Sequence, residues 1–296
     1  MEKIQLWIEW KQIRRHKALK LMKKEKGTYL VNHSSLEYYE FPAPPFLRDY
    51  VSLFWFDSYR AGSMSPMIYN LIADGEPGII YQGIPGSISI NGFSDLPALM
   101  IYGQKTRWAT TVANPPYSNI GIVLKPYALK TLFGINAADL TNSALPLSEL
   151  VACKELCLQL ASGSLSTQLN ALVQFLCNLK TKPTLGLNRT KEALLLYYQG
   201  HQLHDIQRNL KVSERTLERN FKEELGVSPV LYKRIHRFNY ALNLLHQKNL
   251  VSLTSIGYQA GYADQSHFIR DFKAFAGITP KEYLIKSKGN RGYPKQ

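Results

Sequence analysis

Two sets of polar side chains in the last third of the chain have the types that bind nucleic acid. The first is Arg215, Thr216, Glu218, Arg219 and Lys222; the second is Gln265, Ser266, His267, Arg270 and Lys273. Arginine and lysine pair with phosphate oxygens, and an arginine fork also matches the edge of a guanine. Glutamine can present a donor and an acceptor to adenine, serine and threonine suit several edges, and a glutamate can only accept, as from a cytosine amine; for Glu218 an intrahelical pair with Lys222, four residues on, is at least as strong a reading. The two sets are not independent. "RNFKEELGVSPVLY" (219–232) and "RDFKAFAGITPKEY" (270–283) place Arg, Phe-Lys, Gly, Pro and Tyr at identical spacings, displaced by 51 positions. One solvated helix face could carry such charges by chance, but unrelated faces would not repeat the register.

Other chemistry has less to stand on. A metal-binding barrel needs clustered histidines, and His33 is the sole histidine between residues 17 and 200. His201 and His204 are spaced for a metal on a helix but lack convergent acids, and read as surface histidines. Cys153 and Cys157, four apart, could bind metal or take part in alkyl transfer; small apolar side chains on an amphipathic helix are the stronger reading. The three cysteines include no Cys-x-x-Cys pair, which fits a reducing compartment. No nucleophile elbow, P-loop or dinucleotide fingerprint occurs. The expectation is a protein without catalytic residues, metal or cofactor.

The elements that hold the polar sets can be read from their caps. Ser213 is an N-cap and Gly226 a C-cap for "SERTLERNFKEELG"; Pro229 opens a long helix to about Gln247, with Tyr232, Ile235, Phe238, Ala241, Leu242 and Leu245 on one face. "LTSIGYQAG" and "DQSHFIRDFKAFAG" repeat the order. Each copy is a short helix, a tight turn and a second helix whose apolar side (Leu217 and Phe221, then Phe268 and Phe272) faces inward. That is a helix-turn-helix, whose second helix fits a DNA major groove. The motifs fall at about 203–226 and 253–277, joined by a linker helix over 229–247. At ~1.5 Å per residue that helix is ~28 Å long, close to the ~34 Å between successive major grooves on one DNA face.

Charge divides the chain in the same way. Net charge is +14, of which residues 1–36 hold +6, residues 37–183 hold −1 and residues 184–296 hold +9. Only the last third is expected to meet a polyanion. Residues 1–36 form a basic N-terminal extension; 1–28 have the pattern of a basic helix stopped at Gly27, but Trp7, Trp10, Arg14, Leu19 and Met22 make no clean stripe, and a solvated or poorly ordered extension is the stronger reading. The start has no signal-peptide core and no run approaches a membrane span, so a cytoplasmic, nucleoid-associated protein with no membrane contact is expected. Between them, "YVSLFWFDSY", "GIIYQG", "GSISING", "ALMIYG", "TRWATTV" and "NIGIVL" are short strands separated by turn residues. They predict a small antiparallel β-barrel or sandwich. "PYALKTLFG", "LSELVACKELCLQLA" and "STQLNALVQFLCNL" append helices, and "KTKPTLGLN" is a linker. The fold class is therefore α+β: a β-rich domain at 37–183 and an all-α domain at 184–296.

From about Thr190 to Tyr283 the chain resembles the DNA-binding domain of the AraC/XylS family of bacterial transcription regulators. "AGYADQSHFIRDFKAFAGITPKEY" is similar to the family signature in the second motif, and "VSERTLERNFKEELGVSPVLYKRIHRFNYALNLL" matches the first motif and linker helix. The resemblance implies double-stranded DNA as partner. It places base-contacting positions at Arg215, Glu218 and Arg219 and at Gln265, Ser266, His267, Ile269 and Arg270. It also allows RNA polymerase and a second copy of the chain as partners. The family has a small residue after the isoleucine of each motif's first helix; Gly257 after Ile256 keeps that, whereas Gln207 after Ile206 does not. "FPAPPFLRDYVSLFWF", "IADGEPGIIYQ" and "YGQKTRW" resemble an uncharacterised sensory domain that precedes such domains, which implies a small-molecule effector of unknown identity. Trp55, Tyr59, Tyr69, Tyr81, Tyr102, Trp108 and Tyr117 could wall an effector pocket or simply form core. The alternative is an architectural DNA binder that needs no effector.

Overall fold

The computed structural model describes residues 36–59, 65–179, 185–246 and 252–288. The basic extension before Leu36, and the stretch 180–184 of the expected linker, lie outside the described residues. Among those described, the β domain contains nine strands in two antiparallel sheets. Its strands are β1 (Leu36–Pro42), β2 (Val51–Tyr59), β3 (Met67–Leu71), β4 (Gly78–Gln82), β5 (Ile88–Ile90), β6 (Leu99–Tyr102), β7 (Ala109–Ala113), β8 (Tyr117–Leu124) and β9 (Ala144–Pro146). One sheet has the order β1-β2-β8-β4-β6-β9 and the other β3-β7-β5. The domain is thus two sheets rather than a closed barrel.

Strand alternation sends side chains to opposite faces of the larger sheet. Phe54, Phe56, Ile79, Ile101, Ile120 and Ile122 point to one face and share a core with Leu156, Leu160, Leu169 and Leu172 of two helices, α1 (Lys154–Ser162) and α2 (Leu165–Asn178). Tyr59 and Tyr117 point to the other, where they pack on Ala113, Met67 and Tyr69 of the smaller sheet. β8 carries Gly121 directly opposite Trp55 of β2. A side chain at Gly121 would overlap the indole, so this glycine makes room for the tryptophan of the adjacent strand. The expected helix opened by Pro126 is a π-helical turn over Leu129–Phe133, closed by Gly134 at φ 72°. "LSELVACKELCLQLA" is not one helix: a 3-10 turn over Leu147–Glu149 precedes α1. Residues 144–146 are held by pairing with β6, so helix starts only once the chain has left the sheet.

The all-α domain begins earlier than the linker expectation, with α3 over Leu185–Tyr198. It continues as α4 (Leu203–Leu210), α5 (Glu214–Leu225), α6 (Pro229–His246), α7 (Leu253–Gln259), α8 (Gln265–Ala276) and α9 (Pro280–Lys288). Two cores form, one per motif. Leu194, Ile206, Leu217, Phe221 and Leu225 make the first with Tyr232; Phe238, Leu242, Ile256, Phe268, Phe272, Phe275 and Tyr283 make the second. Helix α6 contributes to both, so one rigid element joins the two motifs. Burying a phenylalanine stabilises by about 1.5–3 kcal/mol, and the completely buried Phe238, Phe268 and Phe272 anchor the second motif most firmly. Gly257 lies against Phe268, with a Cβ there meeting the ring at 3.2 Å. This is the close approach of α7 to α8 that a small residue permits.

Candidate nucleic-acid interface

The second helix of each motif, α5 and α8, expected to be the reading helix, is started and stopped by the residues expected. In α5 the Ser213 hydroxyl accepts from the Thr216 amide at 3.2 Å, and in α8 the Asp264 carboxylate accepts from the His267 amide at 2.7 Å. Gly226 and Gly277 end the helices at φ 83° and 79°, a region open to glycine at low cost. With Leu217 and Phe221 buried, Arg215, Arg219 and Lys222 of α5 are exposed along one stripe. Thr216 is half-buried, its hydroxyl 3.0 Å from the capping Ser213 oxygen. Glu218 is also half-buried, and among the described residues no ion pair joins it to Lys222. In α8, Gln265, Ser266, Arg270 and Lys273 are exposed and Ile269 is half-buried.

His267 is half-buried like Ile269 and also takes part in a polar cluster. Its Nε2 lies 3.6 Å from a carboxylate oxygen of Asp271 and 3.3 Å from an Arg237 guanidinium nitrogen, and its ring stands edge-on to Tyr262. Asp271 is the centre of this cluster, with a side chain only 2% exposed. It accepts from Arg234 at 2.7 Å and Arg237 at 3.3 Å, both on α6. The Arg237 guanidinium also covers the Tyr262 ring at 4.3 Å, while burial, with Asp271 alongside, raises the Tyr262 hydroxyl above its ordinary range. Sequence reasoning missed this cluster, although a signal existed. Asp271 falls on the apolar stripe Phe268-Phe272-Phe275, and an acid on a buried stripe needs cations, which Arg234 and Arg237 supply from facing positions. The cluster fixes the second motif to the linker helix by charge as well as by packing.

The β domain docks against the C-terminal ends of both reading helices. The Thr141 hydroxyl donates to the Gly226 carbonyl at 2.7 Å. At the second helix, the Asn70 amide donates to the Ala276 carbonyl at 3.1 Å and the Ala73 amide to the Phe275 carbonyl at 3.0 Å. Asn239 of α6 donates to the Asp74 carbonyl at 2.7 Å, and Ile72 and Ala73 enter the core of the second motif. An open cleft of about 670 Å³ remains beside α8, lined by Trp108 of the β domain with Ser266, Ile269, Arg270, Lys273 and Ala274.

The residues weighed for other chemistry are placed differently. His204 lies 3.0 Å from Asp205 and is exposed, and no group of three metal-binding side chains occurs among the described residues. Burial, with Cys157 beside it, pushes the Cys153 thiol up to about 11, so little thiolate exists at neutral pH. Among the described residues no helix is long and apolar enough to cross a membrane.

Residues 206–285 match the model of a helix-turn-helix domain. A solved transcriptional regulator from Chromobacterium violaceum with an AraC-type DNA-binding domain is 31% identical, over 34% of this chain and 93% of that one, at a TM-score of 0.32. The C-terminal domain belongs to the AraC/XylS family. The AraC-type region is 33% identical over 89 residues to the HTH-type transcriptional regulator ArgR of Pseudomonas aeruginosa, covering 30% of this chain and 27% of that protein. It is 31% identical over 98 residues to the regulator ExsA of the same organism, covering 31% and 35%. The chain thus spans roughly a third of the length of the curated relatives it matches. Ahead of the AraC-type domain, residues 39–146 match a domain of unknown function, DUF6597.

Proposed function

We propose that the chain is a sequence-specific DNA-binding transcriptional regulator whose two helix-turn-helix motifs enter successive major grooves. The observation that carries this is geometric. α5 and α8 expose Arg219-Lys222 and Arg270-Lys273 in the same register, and α6 joins them. Its 18 residues at ~1.5 Å each span ~27 Å, within reach of the ~34 Å groove repeat. Arg215, Glu218 and Arg219, then Gln265, Ser266, Ile269 and Arg270, would meet base edges; Lys222 and Lys273 suit phosphates. His267 acts through the Asp271 cluster that seats its helix, and Thr216 through its cap.

The test is DNA binding against salt, with the site selected from a random library. Affinity for that site should fall by several tenfold steps between low and moderately high salt, because each neutralised phosphate releases counterions. Residues 184–296, with net charge +9, should bind DNA, and residues 37–183, at −1, should not. A nearly salt-independent affinity, or specific binding by the middle fragment, refutes the two-groove reading.

Control by a small effector in the β domain is the second part of the proposal. It is supported by a polar row across three adjacent strands. Asp57, Asn119 and Gln82 are register partners on β2, β8 and β4, on the side of the sheet that carries Tyr59 and Tyr117. The Asn119 amide donates to Asp57 at 2.9 Å and the Gln82 amide to the Pro97 carbonyl at 3.2 Å. The side-chain oxygens of Asn119 and Gln82, and the Thr111 hydroxyl on β7, are buried without a protein partner. Buried polar atoms of this kind are rare unless something else satisfies them.

A further inference from the structure

The loop that leads into β7 meets the second reading helix on its open side. Trp108 lines the cleft together with Ser266, Ile269, Arg270 and Lys273, four residues of the face proposed to meet DNA. Trp108 is 38% exposed, and a Cβ at Gly277 would come within 2.6 Å of its indole, so the ring stands at the C-terminal end of α8. Asn70 holds that end of the helix to the neighbouring strand β3. Two residues of the same loop are cationic, and they differ in availability. Lys105 is drawn inward, paired with Asp74 at 3.0 Å and covering the Tyr102 ring at 4.6 Å. Arg107 is exposed.

We propose that Arg107 and Trp108 are a DNA-contacting element supplied by the β domain, which extends the surface of the second motif onto the flanking sugar–phosphate backbone. This rests on the proposed reading of α8 in a major groove. A helix seated with its N-terminal residues on the bases leaves its C-terminal half beside the groove wall, where the backbone runs. Trp108 is at that half, and the ring leaves Gln265 and Ser266 uncovered. The cleft it shares with Arg270 and Lys273 is open and cationic, so its complement is a polyanion. Arg107 presents five N–H donors to phosphate oxygens, and the indole offers an apolar plate for deoxyribose with one N–H donor. Contacts of this kind position a protein and read no sequence. The β domain, although neutral as a whole, would thereby set the orientation in which α8 is held.

The test uses the full chain and a duplex carrying its selected site. Arg107→Gln, at an exposed position, should weaken binding several-fold on matched and mismatched sites alike and reduce the magnitude of the log–log salt slope by about one. Trp108→Ala should weaken binding several-fold with sequence preference retained, and thermal denaturation shows whether the packing against Gly277 survives. Phosphate-ethylation interference should lose a position at the α8 end in Arg107→Gln, while Arg270→Ala leaves that position intact. Wild-type affinity and salt slope in Arg107→Gln overturn the proposal, as does tighter binding by either variant, which would make the loop an obstruction. A wild-type chain that binds no DNA refutes the functional reading itself, a result distinct from wild-type binding that Arg107→Gln does not change.

Discussion

Replacing Asp271 tests whether the second motif is seated on the linker helix by charge. The carboxylate is 2% exposed and accepts two charge-assisted hydrogen bonds from arginines whose side chains are 42% and 18% exposed. Removing one partner of a buried pair costs about 3–5 kcal/mol. The more exposed Arg234 can return to water, which brings its share towards the ~0–1 kcal/mol of a surface pair. Arg237 cannot do so as readily, because it is enclosed between Tyr262 and His267. Asp271→Ala should therefore destabilise the helical domain by about 2–4 kcal/mol, whereas Asp271→Asn keeps the shape and one acceptor and should cost about 1.5–3 kcal/mol. Urea denaturation followed by far-ultraviolet circular dichroism measures this, since α3–α9 supply much of the signal. A double-mutant cycle with Arg237→Met should return a coupling of at least ~1 kcal/mol. A loss below ~0.5 kcal/mol for Asp271→Ala, or no coupling to Arg237, would refute the argument and leave apolar packing as the sole anchor.

Burial, opposed by the Asn119 hydrogen bond, pushes the Asp57 carboxyl from 3.8 up to about 7. Its raised folded value contributes stability that is full below pH ~4 and is lost as pH rises through ~7; Asp57→Asn should remove about 1–3 kcal/mol of that decline, read from urea melts at pH 5 and 8. Gly277→Ala places a left-handed alanine within 2.6 Å of Asn70 and Trp108, whereas Gly200, at φ 92°, has open space around its Cβ. Thermal melts should show Gly277→Ala losing more than the ~1 kcal/mol expected of Gly200→Ala. Arg270→Ala should cost about 1–3 kcal/mol on the selected site and relax preference at one position, and Arg219→Ala no more; titration of folded variants against a site library checks both, and wild-type binding by both would show that the docking register is wrong.

The helical domain was legible because its signals are local. Ser213, Gly226, Pro229 and Gly277 mark helix ends within one or two turns, and the 51-residue repeat marks the motifs twice. The β domain was read less completely. β1 is an edge strand with two glutamates, β9 ends in proline, and β3 is a five-residue strand interrupted by Asn70, so none had the apolar alternation that exposed β2 and β8. Whether the strands closed into a barrel depended on long-range pairing, which no local pattern encodes. Within the candidate site, the exposed arginines were found from type and spacing. The contact of His267 with Arg237 and the approach of Trp108 were not, because each depends on a partner distant in sequence: Arg237 in one case, the Gly277 turn in the other. Gln207 is half-buried at the end of the first motif's short helix, and nothing in the structure explains its departure from the family pattern.

The docking of the β domain at both capping glycines bears on the grammar of the DNA site. Gly226 is held through Thr141, and the second helix through Asn70 and Ala73 near Gly277, so the interval between the two reading helices is braced from outside as well as spanned by α6. A braced pair behaves as a caliper. On the proposed two-groove reading, one base pair added between the two half-sites would rotate the second by about a tenth of a turn, against two reading helices joined by α6 and held by the β domain. Substitutions within a half-site would be paid in single contacts, but insertions between them would cost one whole motif. If the proposed reading holds, a regulator built in this way would select its targets by the spacing of their halves as strictly as by their letters.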